Sequence, residues 1–383
     1  MNKVLLGYNG SLDSTLCIHW LKEHNDLEVI AHVVDLGLEM ELDDLAEQAI
    51  LSGALSTHFE DLTDSFCRHF VIPSLFANLA TVDNDPLSTA LGRPAICKSL
   101  IDTAKEIGAE FIAHGSKPDS DDNILFDNYL KTLAPGIKII KPLEEWNLKT
   151  KEQKINYANK HGMSFNFDYS YDERSIDGNI WGQQIFKKSL DDTWASSART
   201  NQYSSDADIV TPLPEQLIIE FRHGIPISLQ NSKMPVKDII KKLNAIGKKH
   251  EVGHLDVIGH KINNLKTRKI IKCPGATILS RAHQALECLT LDRPLLDFKA
   301  INTPMYRRLV SSGYWFTQYR EVLDACFKQT QTHVSGEVKI ELYNGQVNVI
   351  GRRSPLALSV ETGEINTNRL QLFRSSHSNE KKK

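Results

Sequence analysis

The stretch Lys3-Val4-Leu5-Leu6-Gly7-Tyr8-Asn9-Gly10-Ser11-Leu12-Asp13-Ser14-Thr15 restricts the architecture more than any other part of the chain. An apolar run breaks off at a small polar turn, and an amphipathic stretch from Leu12 to Lys22 follows. The pattern predicts a buried strand handing over to a helix whose first N–H groups have no partner inside the helix. Leu16, Ile18, Trp20 and Leu21 give that helix its apolar character. Asn9, Ser11, Asp13, Ser14 and Thr15 crowd the turn with hydrogen-bonding groups. Two readings fit: an ordinary strand–turn–helix corner, or a site where free N–H groups and hydroxyls meet a phosphate.

The alternation continues downstream. Residues 27–34 are a second apolar, β-branched run ending at Asp35, and helical periodicity resumes over 39–51 until Gly53 closes it. His58-Phe59-Glu60-Asp61 reads as a short strand end. A helix over 98–107 and then Gly108 lead into a strand Glu110-Phe111-Ile112-Ala113, followed by His114-Gly115. Strands alternating with helices predict a parallel sheet, whose ligands gather beyond the carboxyl ends of its strands. The turn after Leu6, the pair Val34-Asp35 and the loop after His114-Gly115 are therefore expected to share one crevice. That loop, 115–123, is strongly polar, and is either a solvated turn or part of the crevice chemistry. Residues 137–141 read as the last strand of this unit.

From about Thr150 the character changes. A short amphipathic helix over 151–161 precedes an aromatic, irregular stretch at 164–182. Residues 191–214 are rich in Ser, Asp and Pro, the kind of long excursion that forms a lid or stays disordered. Residues 217–221 and 225–229 read as a hairpin across Arg222-His223-Gly224. A helix over 236–246 stops at Gly247, strands lie near 255–258 and 268–271, and a helix covers 276–289. Asn344-Gly345 joins 337–343 to 347–352 in a further hairpin. This order predicts a second domain of mixed antiparallel strands and helices. The Ser-rich, then basic, tail 375–383 reads as disordered.

A chain of 383 residues has room for two domains at roughly 100–200 residues each. A net charge of -3 gives no support for a nucleic-acid-binding surface. No stretch reaches the length of a membrane span, and the start lacks a basic-then-apolar secretory pattern. Cys17, Cys67, Cys97, Cys273, Cys288 and Cys326 form no C-x-x-C pair, so no metal ligand is assigned and reduced thiols in a cytoplasmic protein are expected.

Further motifs run through the chain in a fixed order: Gly10-x-Leu12-Asp13-Ser14-Thr15, Arg93-Pro94, Ala113-His114-Gly115, Leu133-Ala134-Pro135 and Ser175-Ile176-Asp177-x-Asn179. They continue with Lys248-Lys249-His250-x-Val252-Gly253, Pro274-Gly275-Ala276-Thr277-Ile278-Leu279, Leu289-Thr290-Leu291-Asp292-Arg293 and Val349-Ile350-Gly351-Arg352-Arg353-Ser354-Pro355. With them the chain resembles argininosuccinate synthase along nearly its whole length. The resemblance implies an α/β fold: a PP-loop-type parallel-sheet nucleotide-binding domain at 1–165, an α+β synthetase domain at 166–355, and a C-terminal arm with a basic tail at 356–383. It also implies ATP with Mg²⁺, small-molecule substrates and a homotetramer. In the family reaction the ureido oxygen of citrulline attacks the α-phosphorus of ATP, pyrophosphate leaves, and the amine of aspartate then displaces AMP.

Carried over position by position, the resemblance assigns nucleotide binding to Gly7, Tyr8, Asn9, Gly10, Ser11, Asp13, Ser14, Thr15, Val34 and Gly115, and catalytic roles to Asp13 and Asp122. The family's Ser-Gly-Gly turn is Asn9-Gly10-Ser11 here, and a side chain at Ser11 is expected to cost conformational freedom. The substrate positions depart further. The family's citrulline-binding Tyr and Thr-Ser pair are Asp85 and Thr89-Ala90. Its aspartate-binding Thr is Lys117, its Asn is Asp121, and its carboxylate-binding Arg is Leu125, while Asp122 is retained. Ser175 matches one citrulline Ser, the second is Gln184, and the family's Glu and Tyr on the last two strands are Gly259 and Ile271.

A Leu in place of a bidentate Arg leaves an amino-acid carboxylate unpaired, and Asp119 and Asp121 beside Asp122 repel an incoming aspartate, eased by Lys117. The expectation is an AMP-forming C–N ligase with substrates other than citrulline and aspartate. The alternatives are a divergent argininosuccinate synthase and a non-catalytic nucleotide-binding descendant.

Overall fold

Val4, Leu5 and Leu6 are completely buried, Leu5 in one core and its two neighbours in another. A strand covered on both faces belongs inside a parallel sheet flanked by helices. The computed structural model, which describes residues 2–38, 42–81, 85–163, 174–187, 190–194, 213–263 and 265–358, places it there. Strands β1 (Lys3–Gly7), β2 (Glu28–Asp35), β3 (Ser56–Asp61), β4 (Phe111–His114) and β5 (Lys138–Ile140) pair in parallel in the order β3-β2-β1-β4-β5. Helices Leu12–Asn25, Leu42–Leu51 and Lys151–Lys160 contribute to the core around Val4 and Leu6, and helix Ser88–Ile107 to the core around Leu5. The strand order reverses between β1 and β4, where a crevice opens in sheets of this type.

Two elements here differ from the sequence reading. The helix expected over 98–107 begins at Ser88 and carries Gly92 and Pro94 inside it. Close packing overrides these breaker residues: a Cβ on Gly92 would lie 3.0 Å from Leu36 and 3.1 Å from Asn179. The polar loop is shorter than expected, because Ser120 caps a helix Asp121–Leu133 with its hydroxyl on the Asn123 N–H. Acidic residues in that first turn complement the helix dipole, which is why the start looked like loop.

The second half contains two antiparallel sheets. The stretch expected to be irregular as far as 182 contains β6 (Arg174–Asn179) and the start of β7 (Gly182–Lys187). β8 (Glu215–Arg222), β9 (Ile225–Leu229) and β10 (Ser232–Lys233) precede β11 (His254–His260), β12 (Lys266–Lys272), β13 (Gly336–Tyr343) and β14 (Gln346–Arg353). The sheets run β11-β12-β7-β6 and β10-β9-β8-β13-β14. Both expected hairpins form, with His223-Gly224 and Asn344-Gly345 all at positive φ, as tight hairpin turns require. The helix expected to stop at Gly247 runs Val236–Lys249. Gly247 is instead a point of close approach, where a Cβ would come within 2.6 Å of Pro274. Helices Arg293–Ser311 and Gln318–Thr330 were not anticipated.

The β6–β7 turn docks on the carboxyl edge of the parallel sheet. Ile180 N–H donates to the Leu36 carbonyl (3.0 Å), and Asn179 Nδ2 donates to the Ser88 carbonyl (2.7 Å). This contact brings the strand carrying Asp177 over the crevice. The lid-like excursion is described only at 191–194 and 213–214; residues 164–173 and the tail from 359, including most of the expected arm, lie outside the described residues. Among the described residues no helix is long and apolar enough to cross a membrane.

Candidate active site

Gly7 ends β1 in register with His32 on one side and His114 on the other, so the turn Tyr8–Ser11 leaves the sheet between β2 and β4. Tyr8 is buried; its hydroxyl lies 3.2 Å from Thr15 Oγ1, and burial pushes its pKa up. Asn9 Oδ1 accepts from the Ser14 hydroxyl (2.8 Å) and the Ser11 N–H (3.2 Å). Gly10 takes the left-handed conformation at φ +73°. Ser11 has ordinary extended backbone, φ -68°, and its hydroxyl caps the helix by accepting from Ser14 N–H. Ser11 is thus a helix cap, a position that favours serine.

The loop after β4 meets this turn. A Cβ on Gly115 would lie 3.5 Å from the Ser14 Cα, so a side chain at 115 would just reach the start of helix Leu12–Asn25. Val34, near the carboxyl end of β2, is half-buried against the core, and Asp35 Oδ1 accepts from the Gly37 N–H (2.7 Å). The three expected loops thus leave the same edge of the sheet. Asp13 pairs with Lys154 at 2.6 Å, tying helix Lys151–Lys160 to the start of helix Leu12–Asn25.

Across the crevice stands Arg93, on helix Ser88–Ile107 one turn beyond Thr89-Ala90. Its guanidinium grips Asp122 with Nε (2.7 Å) and Nη2 (2.8 Å), and also donates to both oxygens of Asp177. Burial opposes the Arg93 charge, but the two carboxylates outweigh it and its pKa is raised. Burial also raises the Asp177 carboxyl above its usual range, against the pull of Arg93. A planar five-donor group is suited to holding two carboxylates at once.

The remaining substrate positions divide into two sets. Asp177, Gln184 and Ile271 form one row across β6, β7 and β12, and Gly259 lies farther along β11 on the same face by strand alternation. Gln184 and Ile271 are buried, whereas a Cβ on Gly259 would meet open space. Ser175 also lies on β6, opposite Phe186. Asp85 is buried and pairs with Lys269 at 3.0 Å and Arg307 at 3.7 Å. On the other side, Asp121 Oδ1 accepts from the Ile262 N–H (2.8 Å), and Lys117 is exposed. Leu125 is only 4% exposed and packs in the main core, near Gly313.

Sequence reasoning did not select Arg93, Asp177, Lys154, Lys269 or Arg307 as site residues. Arg93 and Asp177 lay inside motifs and could have been chosen; Lys154, Lys269 and Arg307 are brought in by packing and carry no local signal.

Two family models cover most of this chain: one described as "Arginosuccinate synthase N-terminal HUP domain" matches residues 3–164, and one described as "Arginosuccinate synthase C-terminal domain" matches 174–372. An argininosuccinate synthase from Oceanobacillus iheyensis is 37% identical over 360 residues, covering 93% of this chain and 85% of the relative. Those from Chlorobium phaeobacteroides and Chlorobaculum tepidum are each 37% identical, over 363 and 358 residues, covering 93% of this chain and 89% of the relative. The chain belongs to the argininosuccinate synthase family. It is accordingly an ATP-dependent ligase that forms AMP and pyrophosphate, built on a HUP-type nucleotide-binding domain and an α+β domain.

Proposed function

We propose that this member of the argininosuccinate synthase family adenylates a carbonyl or ureido oxygen of an acceptor other than citrulline and couples it to an amine other than that of aspartate. The observation that carries the reading is the burial of Leu125, where the family's carboxylate-binding arginine is expected, within an apolar core. Arg93, the nearby guanidinium, is already held by Asp122 and Asp177. Without the fork, a bound carboxylate is desolvated and unpaired, which costs about 2–5 kcal/mol, roughly 30- to 5,000-fold in kcat/KM.

The nucleotide end of the crevice supports the ATP part. Ser11 and Ser14 supply hydroxyls, Asn9 an amide, and the helix start its free N–H groups, the donor set a polyphosphate needs, with Thr15 buried behind them against Tyr8. In this reading the acceptor oxygen attacks the α-phosphorus, the bond to pyrophosphate breaks, and the amine then displaces AMP from the activated carbon. Mg²⁺ arrives with the nucleotide and spreads the phosphate charge; Asp13, engaged by Lys154, contributes mainly by positioning the helix start. A homotetramer in the cytoplasm completes the reading, and light scattering of the full chain tests the assembly.

A second reading, citrulline and aspartate as the substrates, is favoured by 37% identity over 93% of the chain. ATP–pyrophosphate exchange decides between them. Exchange supported by other carbonyl or ureido acceptors and silent with citrulline is the expected result. Citrulline-dependent exchange selects the second reading, and no exchange with any acceptor by protein that binds ATP overturns both.

A further inference from the structure

Helix Leu12–Asn25 and helix Lys151–Lys160 meet at a second place besides the Asp13–Lys154 pair. His19 and Glu23, four residues apart, share one face of the first helix, and His161 ends the second. One ligand atom from each of these three residues lies within 4.8 Å of the other two. His19 Nδ1 is 3.7 Å from Glu23 Oε2, and the rings of His19 and His161 are 4.4 Å apart. Nucleotide chemistry has no use for this cluster: His19 lies six residues beyond Asp13, roughly 9 Å along the helix.

We propose that His19, Glu23 and His161 bind a divalent transition-metal ion of the zinc type, clamping helix Lys151–Lys160 to helix Leu12–Asn25. Two imidazoles and one carboxylate converging from two helices, with the carboxylate half-exposed, are the donor set of a three-ligand zinc site with an open fourth position. Without the ion, the Tyr157 hydroxyl spans the cluster, 2.9 Å from His19 Nδ1 and donating to Glu23 Oε2 at 2.8 Å. With its proton given to Glu23, the phenol oxygen accepts from His19 Nδ1–H, so the three side chains already converge on one point. His24, 3.8 Å from Glu23, is stacked on Trp20.

The test is calorimetric titration of the untagged full chain with zinc sulfate, repeated with Co²⁺ to read ligand type from its spectrum. One equivalent is expected to bind, with a nitrogen–oxygen cobalt spectrum and a rise in Tm. His161→Ala and Glu23→Gln are each expected to weaken binding by roughly tenfold or more. Tyr157→Phe keeps all three ligands and is expected to retain binding, which separates a metal site from a hydrogen-bond network. Binding that survives His161→Ala, that disappears in Cys288→Ser, or that is absent from the folded wild-type chain overturns the proposal.

Discussion

Arg93 has two carboxylates to satisfy and little water to help, its side chain being 11% exposed. Removing it in Arg93→Ala leaves the half-buried Asp122 and Asp177 unpaired beside each other. The expected loss is about 3 kcal/mol, the lower end for a broken buried pair, because each carboxylate side chain keeps about a third of its surface in water. Urea unfolding measures it, and Arg93→Lys is expected to recover only part, since an ammonium cannot fork to both acids. A second residue sets a pH dependence. His32, on β2, is fully buried, with Nε2 2.7 Å from Ser99 Oγ and Nδ1 3.0 Å from His58 Nδ1. Burial, and then His58, lower its pKa to about 4. Between that value and an unfolded value of about 6.5, only the unfolded chain takes up the proton. Stability present above pH 6.5 is therefore lost as the pH falls toward 4. Urea midpoints across that range are expected to decline, and His32→Gln is expected to flatten the slope while lowering stability at pH 7.5.

Helix and strand signals were legible where pattern and termination agreed, as at Asn344-Gly345, whose positive φ values suit that dipeptide. They failed where tertiary packing outvoted a local rule. Gly247 reads as a stop but lies inside its helix, because Pro274 needs the space a side chain would fill. Gly247→Val is expected to overpack that contact and cost about 1–3 kcal/mol in urea unfolding, with the strain localised to helices Val236–Lys249 and Pro274–Thr290. At Thr150 the rule and the packing coincide. Its hydroxyl accepts from Gln153 N–H while the Gln153 side chain accepts from the Thr150 N–H, a complete capping box. Thr150→Ala is expected to cost about 1 kcal/mol. Because Lys154 and His161 are carried by this helix, the same variant is expected to weaken zinc binding modestly, which the calorimetric titration reads.

At the scale of the whole molecule, the parallel sheet follows from alternating apolar runs and the crevice from the sheet, whereas the strand order that sets the switch point comes from the structure. The facing wall does not follow from such runs either. Asp177 reaches Arg93 only because the β6–β7 turn docks on Leu36 and Ser88, and Lys269 and Arg307 reach Asp85 from elements far apart in sequence. Residue identity alone showed that Leu125 could not pair a carboxylate; only packing shows that the side chain turns into the core. That distinction makes Leu125→Arg a poor rescue: the variant is expected to destabilise the chain by burying an unpaired guanidinium, and to restore no citrulline-dependent turnover. The most direct test of the altered-substrate reading is the steady-state rate of AMP formation by the wild-type chain with ATP, citrulline and aspartate. The predicted kcat/KM for citrulline is on the order of 10²–10³-fold below that of an argininosuccinate synthase measured alongside; a rate equal to that enzyme's would contradict it.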